Sequence, residues 1–156
     1  MDHVAIMKKS WGLTAKILTG EKTIESRWYF NRRTPWGKIR QGDSVYFKDS
    51  GESVRLKAKV SRVDRFSDLT PDRVWAILKK YGAADGLKRG ELPKYFELFK
   101  NKRYCLLIHL ANPQAVAPFD INKAGFGAMA AWLTVADIGA IKVLDGRRSR
   151  SKIFEY

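Results

Sequence analysis

Gly20-Glu21-Lys22-Thr23-Ile24-Glu25-Ser26-Arg27 is the stretch on which the reading of this chain turns. Glycine closes one periodic segment and alternating residues open the next, so a helix ends here and a strand begins. On a strand, Thr23, Glu25 and Arg27 share one face, and Ile24, Ser26 and Trp28 share the other. An acid and a base two apart on one face can form a surface ion pair worth little. They can equally form a fork, in which Arg27 holds a phosphate or carbonyl while Glu25 orients it or accepts from a base. The residues alone leave both readings open. Lys22 stands at the turn, with either face within reach.

Upstream, residues 3–7 read as a short strand, and Ser10 is placed to cap a helix over 11–19. Trp11, Thr14 or Ala15, and Leu18 would give that helix its apolar stripe. Downstream, 23–30 has strand composition, and 31–42 (NRRTPWGKIRQG) is a basic loop before a strand at 44–47. Asp49-Ser50-Gly51 is hairpin chemistry. In the next strand Val54, Leu56, Ala58 and Val60 alternate with Arg55, Lys57, Lys59 and Ser61, which leaves three cations in a row on the outer face. Thr70-Pro71 opens a helix with Val74, Ile77, Leu78 and Tyr81 on one side and Gly82 at its end. A further helix is expected over 93–100, with Tyr95, Phe96 and Phe99 inward. The run 104–110 reads as a strand buried on both sides. After Pro113 and Pro118 the pattern weakens, 128–135 fits helix or strand, and 138–144 reads as a closing strand. These assignments make 1–145 one domain, with 146–156 a basic tail.

Thirty Lys and Arg against sixteen Asp and Glu leave a formal charge of +14 on 156 residues. Self-repulsion of that size is relieved by a polyanionic partner, and nucleic acid is the usual one; the alternative is a lysine-rich surface that serves only solubility. Cys105 is the sole cysteine and lies in an apolar run, which reads as a buried, inert thiol. His3 and His109 have no cysteine partners, so neither a metal nor a cofactor is expected. The sequence has no long apolar stretch, which excludes a membrane span and points to a cytoplasmic protein. It leaves the oligomeric state open. Of the five tryptophans, Trp75 and Trp132 read as core, and Trp11 and Trp28 fit core or platform equally. Trp36, between Arg33 and Lys38 in the basic loop, reads as an exposed stacking surface.

The pattern G-x-K-T-x-E-x-R is carried by Gly20, Lys22, Thr23, Glu25 and Arg27. It is followed by G-D-x-V-x-F in Gly42, Asp43, Val45 and Phe47, and by an A-x-V strand in Ala58 and Val60. Together these resemble the ASCH domain, of the PUA-like superfamily, over residues 1 to about 112. The resemblance implies a mixed β fold: a small PUA-like β-barrel decorated with α-helices, its cleft lined by the first helix and the 22–27 segment. Relatives of that kind include RNA-binding and modified-base-binding modules, amidohydrolases that remove an acyl group from a modified cytidine, and ribonucleases. Lys22 matches the lysine of the amidohydrolase set, whereas Glu25 stands where those enzymes carry a threonine.

The expected function is therefore an RNA or other nucleic-acid-binding module. Its contacts would be Ser10, Trp11, Lys22, Glu25, Arg27, Arg32, Arg33, Trp36, Lys38, Arg40, Lys48, Arg55, Lys57 and Lys59. The alternative is a hydrolase, ribonuclease or modified-nucleoside amidohydrolase, with Lys22 and Glu25 catalytic. In that case a desolvated Lys22 would lose proton affinity and act as base or nucleophile, and Glu25 would shuttle a proton. A protein- or metabolite-binding module is the third reading.

Overall fold

The computed structural model describes residues 1–143, and the expected tail at 146–156 lies outside the described residues. Alternation decides the sheet. Along β4 (Val54–Phe66), Val54, Leu56, Ala58 and Val60 are buried while Arg55 and Lys59 face solvent. This strand pairs antiparallel with β3 (Ser44–Asp49) on one side and with β5 (Tyr104–Ile121) on the other. The far edge of β5 carries β2 (Ile24–Tyr29), and β3 is joined in parallel by β1 (Asp2–Met7), which pairs with β6 (Trp132–Val135). The order is β2-β5-β4-β3-β1-β6, with β7 (Lys142–Val143) attached to the far end of β5. Three register shifts between β4 and β5 and one between β3 and β4 mark bulges. Bulges bend strands and raise twist, and here the sheet curls into a half-barrel.

Val45, Phe47, Leu56, Ala58, Val60, Leu106 and Ile108 fill the inside of the curl, and Leu13 and Ile17 of α1 (Leu13–Thr19) pack onto them. Against the other face of β2 and β5 lie α2 (Pro71–Tyr81) and α3 (Leu92–Phe99). Ile77 packs there with Ile24, Cys105 and Leu107, while Val74, Leu78, Leu92 and Tyr95 form the layer between the two helices. Thr70 accepts a hydrogen bond from the Arg73 amide, so the cap read from Thr70-Pro71 is in place. Cys105 is buried, and burial raises its thiol pKa well above the ordinary value.

Four expectations need correction. Ser10 does not cap α1. It lies exposed in a 3-10 turn at Lys9–Trp11, and Gly12, in the left-handed region at φ 63°, starts the helix at Leu13. Within that helix Leu13, Thr14 and Ile17 are buried and Leu18 is 45% exposed, so the buried stripe is not the one expected. The pattern does not weaken after Pro113, because β5 continues through both prolines to Ile121. β2 pairs with β5 only up to His109, so the prolines sit where that edge has lost its partner and a missing N–H costs least. The closing strand at 138–144 is a 3-10 turn at Ile138–Ala140 followed by the two residues of β7.

A candidate base-binding cavity at the barrel seam

The half-barrel stays open between β2 and the β1–β6 edge, and the Glu25-Ser26-Arg27 segment meets that seam. Pairing with β5 sets Glu25 opposite Ile108 and Arg27 opposite Leu106, both core residues of the barrel interior. Arg27 therefore reaches across the opening. Its guanidinium carbon lies 5.0 Å from the Trp132 ring centroid on β6, and Nη1 reaches the Ala131 carbonyl at 3.4 Å. Trp132 is fixed in turn by donating from Nε1 to His3 Nδ1 at 3.0 Å, while His3 Nε2 lies 2.8 Å from Asp43. Burial lowers the His3 pKa against the opposing pull of Asp43, which favours the neutral ring this geometry requires.

Ser26 and Trp28 face the helical layer, as their alternation with Glu25 and Arg27 requires. The loop after α2 brings Asp85 to them: Ser26 Oγ donates to Asp85 Oδ2 at 2.5 Å, and Trp28 Nε1 donates to Ser26 Oγ at 3.1 Å. Gly86 makes this approach feasible. Its φ is +83°, and a Cβ there would lie 3.2 Å from Lys22 Cβ and 3.3 Å from Leu13 Cδ2.

Lys22 is the hub beneath. Its side chain has no exposed surface, and Nζ donates to the Ile24 carbonyl at 2.6 Å, the Asp85 carbonyl at 2.8 Å and Asp85 Oδ1 at 2.5 Å, with Glu25 Oε1 at 3.1 Å. Arg27 Nε takes the other Glu25 oxygen at 2.8 Å. Burial works to lower the Lys22 pKa, but the charges of Asp85 and Glu25 outweigh it and hold the pKa raised. Burial likewise works to raise the Glu25 pKa, and Lys22 and Arg27 outweigh it to keep the carboxylate ionised. Asp85 is the group whose proton affinity rises, through burial and the neighbouring Glu25 against the pull of Lys22. The expectation of a deprotonated Lys22 beside a proton-shuttling Glu25 is thus reversed, because two carboxylates and not other cations surround the ammonium.

Next to this polar cluster lies a cavity of about 230 Å³, to whose lining Glu25, Ser26, Arg27 and Asp85 contribute. Trp11, Trp28, Tyr95 and Phe99 line it, along with Ile6, Met7, Lys8, Leu13 and Leu87. Trp28 stacks on Phe99 with centroids 4.8 Å apart and planes 5° apart, and Trp11 meets Tyr95 edge-on at 5.5 Å. Of the contacts expected from sequence, Trp11, Glu25 and Arg27 line this cavity, and so does Trp28, which the sequence left between core and platform. Lys22 supports it from below without lining it.

The remaining candidates lie elsewhere. Arg33 is exposed and lines an adjoining groove together with Arg27 and Trp28. Arg32 stacks over the Trp36 and Tyr104 rings at 5.7 and 5.2 Å. Lys38 and Arg40 are exposed beyond it, and Lys48 is half-buried near the end of β3. Arg55, Lys57 and Lys59 occupy the outer side of β4, where Lys59 donates to Ser44. Arg32, Lys38, Arg40, Lys48, Arg55, Lys57 and Lys59, like Ser10 and Lys22, line neither cavity. Trp36 is not the free platform the loop implied: it is half-buried against the barrel core and meets Tyr104 edge-on at 5.4 Å. Sequence reading missed Asp85, Ser26, Tyr95 and Phe99 as site residues. For Ser26 the signal was its place beside Glu25; for Asp85 there was none, since 59 residues separate it from Ser26.

No family model and no curated protein matches the chain. Solved structures do. A crystal structure of ASCH from Zymomonas mobilis is 17% identical with a TM-score of 0.63, over 87% of this chain and 88% of that one. A point mutant of the same protein gives 17% identity and a TM-score of 0.64 over 89% and 93%. The N-terminal domain of Staphylothermus marinus McrB is 14% identical with a TM-score of 0.50, over 76% of each chain. At such identities the likeness speaks for architecture. The curled sheet, the helical layer over β2 and the overlap along most of the chain show that the fold is the one seen in these ASCH structures.

Proposed function

We propose that this protein binds single-stranded nucleic acid, RNA in the first instance, by taking one unpaired base into the seam cavity. The observation that carries the reading is the pairing of aromatic walls with a small polar floor. A volume of about 230 Å³ falls below the roughly 300–1,000 Å³ of pockets for drug-sized ligands, so it suits one small planar group. Arg27 donates Nε to Glu25, while Nη1 meets the Ala131 carbonyl only at 3.4 Å and Nη2 meets the weak acceptor Met7 Sδ at 3.5 Å. Its Nη groups can donate to a base carbonyl while Glu25 or Asp85 accepts from an adjacent N–H. A base edge offering an acceptor beside a donor fits that floor, and a modified or unmodified cytosine-like edge is one such. A paired base cannot present its edge this way, so the ligand is single-stranded or a flipped nucleotide. The +14 net charge supplies the general attraction, and cytoplasmic RNA is the partner it fits.

Turnover through Lys22 and Glu25 has less support, because Asp85 and Glu25 hold Lys22 in its charged form, and Lys22 and Arg27 hold Glu25 in its own. The test is a titration of the four ribonucleosides and an acylated cytidine, followed by quenching of tryptophan fluorescence. At least one should saturate. Trp11→Ala, checked for an unchanged melting profile, should weaken it by about 1–3 kcal/mol, the range for one base–aromatic stack. If none of the five saturates, and none protects the cavity residues from hydrogen exchange, the base-capture reading fails.

A further inference from the structure

Arg27 and Trp28 line two cavities at once. Past the seam cavity they open into a groove of about 770 Å³, bounded by Phe30, Arg33 and Lys102 and by the turn that leads into β6. Three of its fifteen lining residues are cations and none is an acid. Arg27 already serves Glu25. Arg33 is exposed, and no acid pairs with it among the described residues. Lys102 Nζ sits 4.9 Å above the Phe30 ring, so an aromatic face and not a carboxylate holds it. Phe30 is 52% exposed and Met129, in the same groove, 94%. Two cations without a carboxylate partner beside a half-exposed aromatic ring are what a phosphate and a neighbouring base require together.

We propose that this groove is a second nucleotide subsite, which receives the nucleotide adjoining the captured base. The linking phosphate lies between Arg33 and Lys102, and the second base stacks against Phe30. The inference rests on the base-capture reading and adds to it: the ligand is an oligonucleotide and not a free nucleoside. Charge complementarity and continuity with the seam cavity through Arg27 and Trp28 select this occupant. A polyglutamate-like peptide would find the cations but would have no planar group for Phe30.

The test compares a ribonucleoside, a trinucleotide and a hexanucleotide of the same base across a salt series. The proteins are the unaltered chain, the Arg33→Ala/Lys102→Ala double variant and Phe30→Ala. The oligonucleotides should bind more tightly than the nucleoside. The double variant should flatten the dependence of log K on log salt by about 1.4, at about 0.7 per phosphate contact. Phe30→Ala should weaken the oligonucleotides about tenfold without changing the salt slope. Neither variant should alter nucleoside affinity. If the nucleoside binds but length adds nothing, or the variants leave slope and affinity unchanged, the subsite is wrong and base capture stands. If only oligonucleotides bind and both variants weaken them, the groove stands and base capture falls. Displacement by polyglutamate as effective as by RNA overturns the nucleotide assignment.

Discussion

A lysine without exposed side-chain surface is rare, because a desolvated ammonium is costly unless it is paired and fully hydrogen-bonded. Lys22 meets both conditions, with two carboxylates and two backbone carbonyls around Nζ. Its role is to let Glu25 and Asp85 stand ionisable under an apolar cavity. Lys22→Met removes the shared cation and should cost about 3–5 kcal/mol, the range for breaking a buried pair. The loss has a pH signature. Without Lys22, Asp85 is a buried carboxylate with no cation, so its folded-state pKa lies further above the unfolded one. A raised carboxylate contributes stability that is present at low pH and lost as pH rises. The gap between variant and parent should therefore widen from pH 4 to pH 7 in urea titrations. A variant as stable as the parent at pH 7 would contradict the hub assignment. Half of this arrangement was readable: Glu25 and Arg27 are two apart on one strand, and period-two geometry puts them together. The Lys22–Asp85 contact spans 63 residues and depends on how α2 ends, which no local pattern encodes.

At the scale of elements, alternation and caps were legible where one principle acted alone. β4 shows its buried face in every second residue, and Thr70-Pro71 places the start of α2. The misreadings fall where tertiary packing overrides composition. Ser10 has the right chemistry for a cap, yet the 3-10 turn and left-handed Gly12 begin α1 beyond it. The 31–42 loop is polar and basic, yet Pro35 and Ile39 are buried, and the Ile39 carbonyl accepts from Arg65 at 2.9 Å. Those anchors draw Trp36 onto Tyr104 and the barrel core. Trp36→Ala should therefore act on the fold. Complete burial makes Trp→Ala worth about 3–5 kcal/mol, so about 2 kcal/mol is expected for a half-buried ring. Equilibrium denaturation measures it directly. Unchanged stability with weakened RNA binding would restore the platform reading.

Over the whole molecule the net charge of +14 was plain in the sequence, but its division was not. The Arg55, Lys57 and Lys59 stripe lies on the outer face of β4, and neither cavity includes it. On the proposed reading, attraction to a polyanion through this stripe and capture of a base would use separate surfaces, which respond differently to salt. Charge neutralisation releases counterions, whereas stacking an aromatic ring on a base releases none. The Arg55→Ala/Lys57→Ala/Lys59→Ala variant should weaken single-stranded RNA of every sequence alike. It should flatten the salt slope by up to about 2, three contacts at about 0.7 each. Trp11→Ala should instead lower affinity at all salt concentrations by the same factor and leave the slope alone. Both are read from anisotropy titrations of labelled oligonucleotides between 50 and 200 mM salt, roughly the span over which phosphate contacts are most visible. Should the triple variant keep the parent's slope, the stripe is a solvated surface, and the cations of the groove carry the attraction without it.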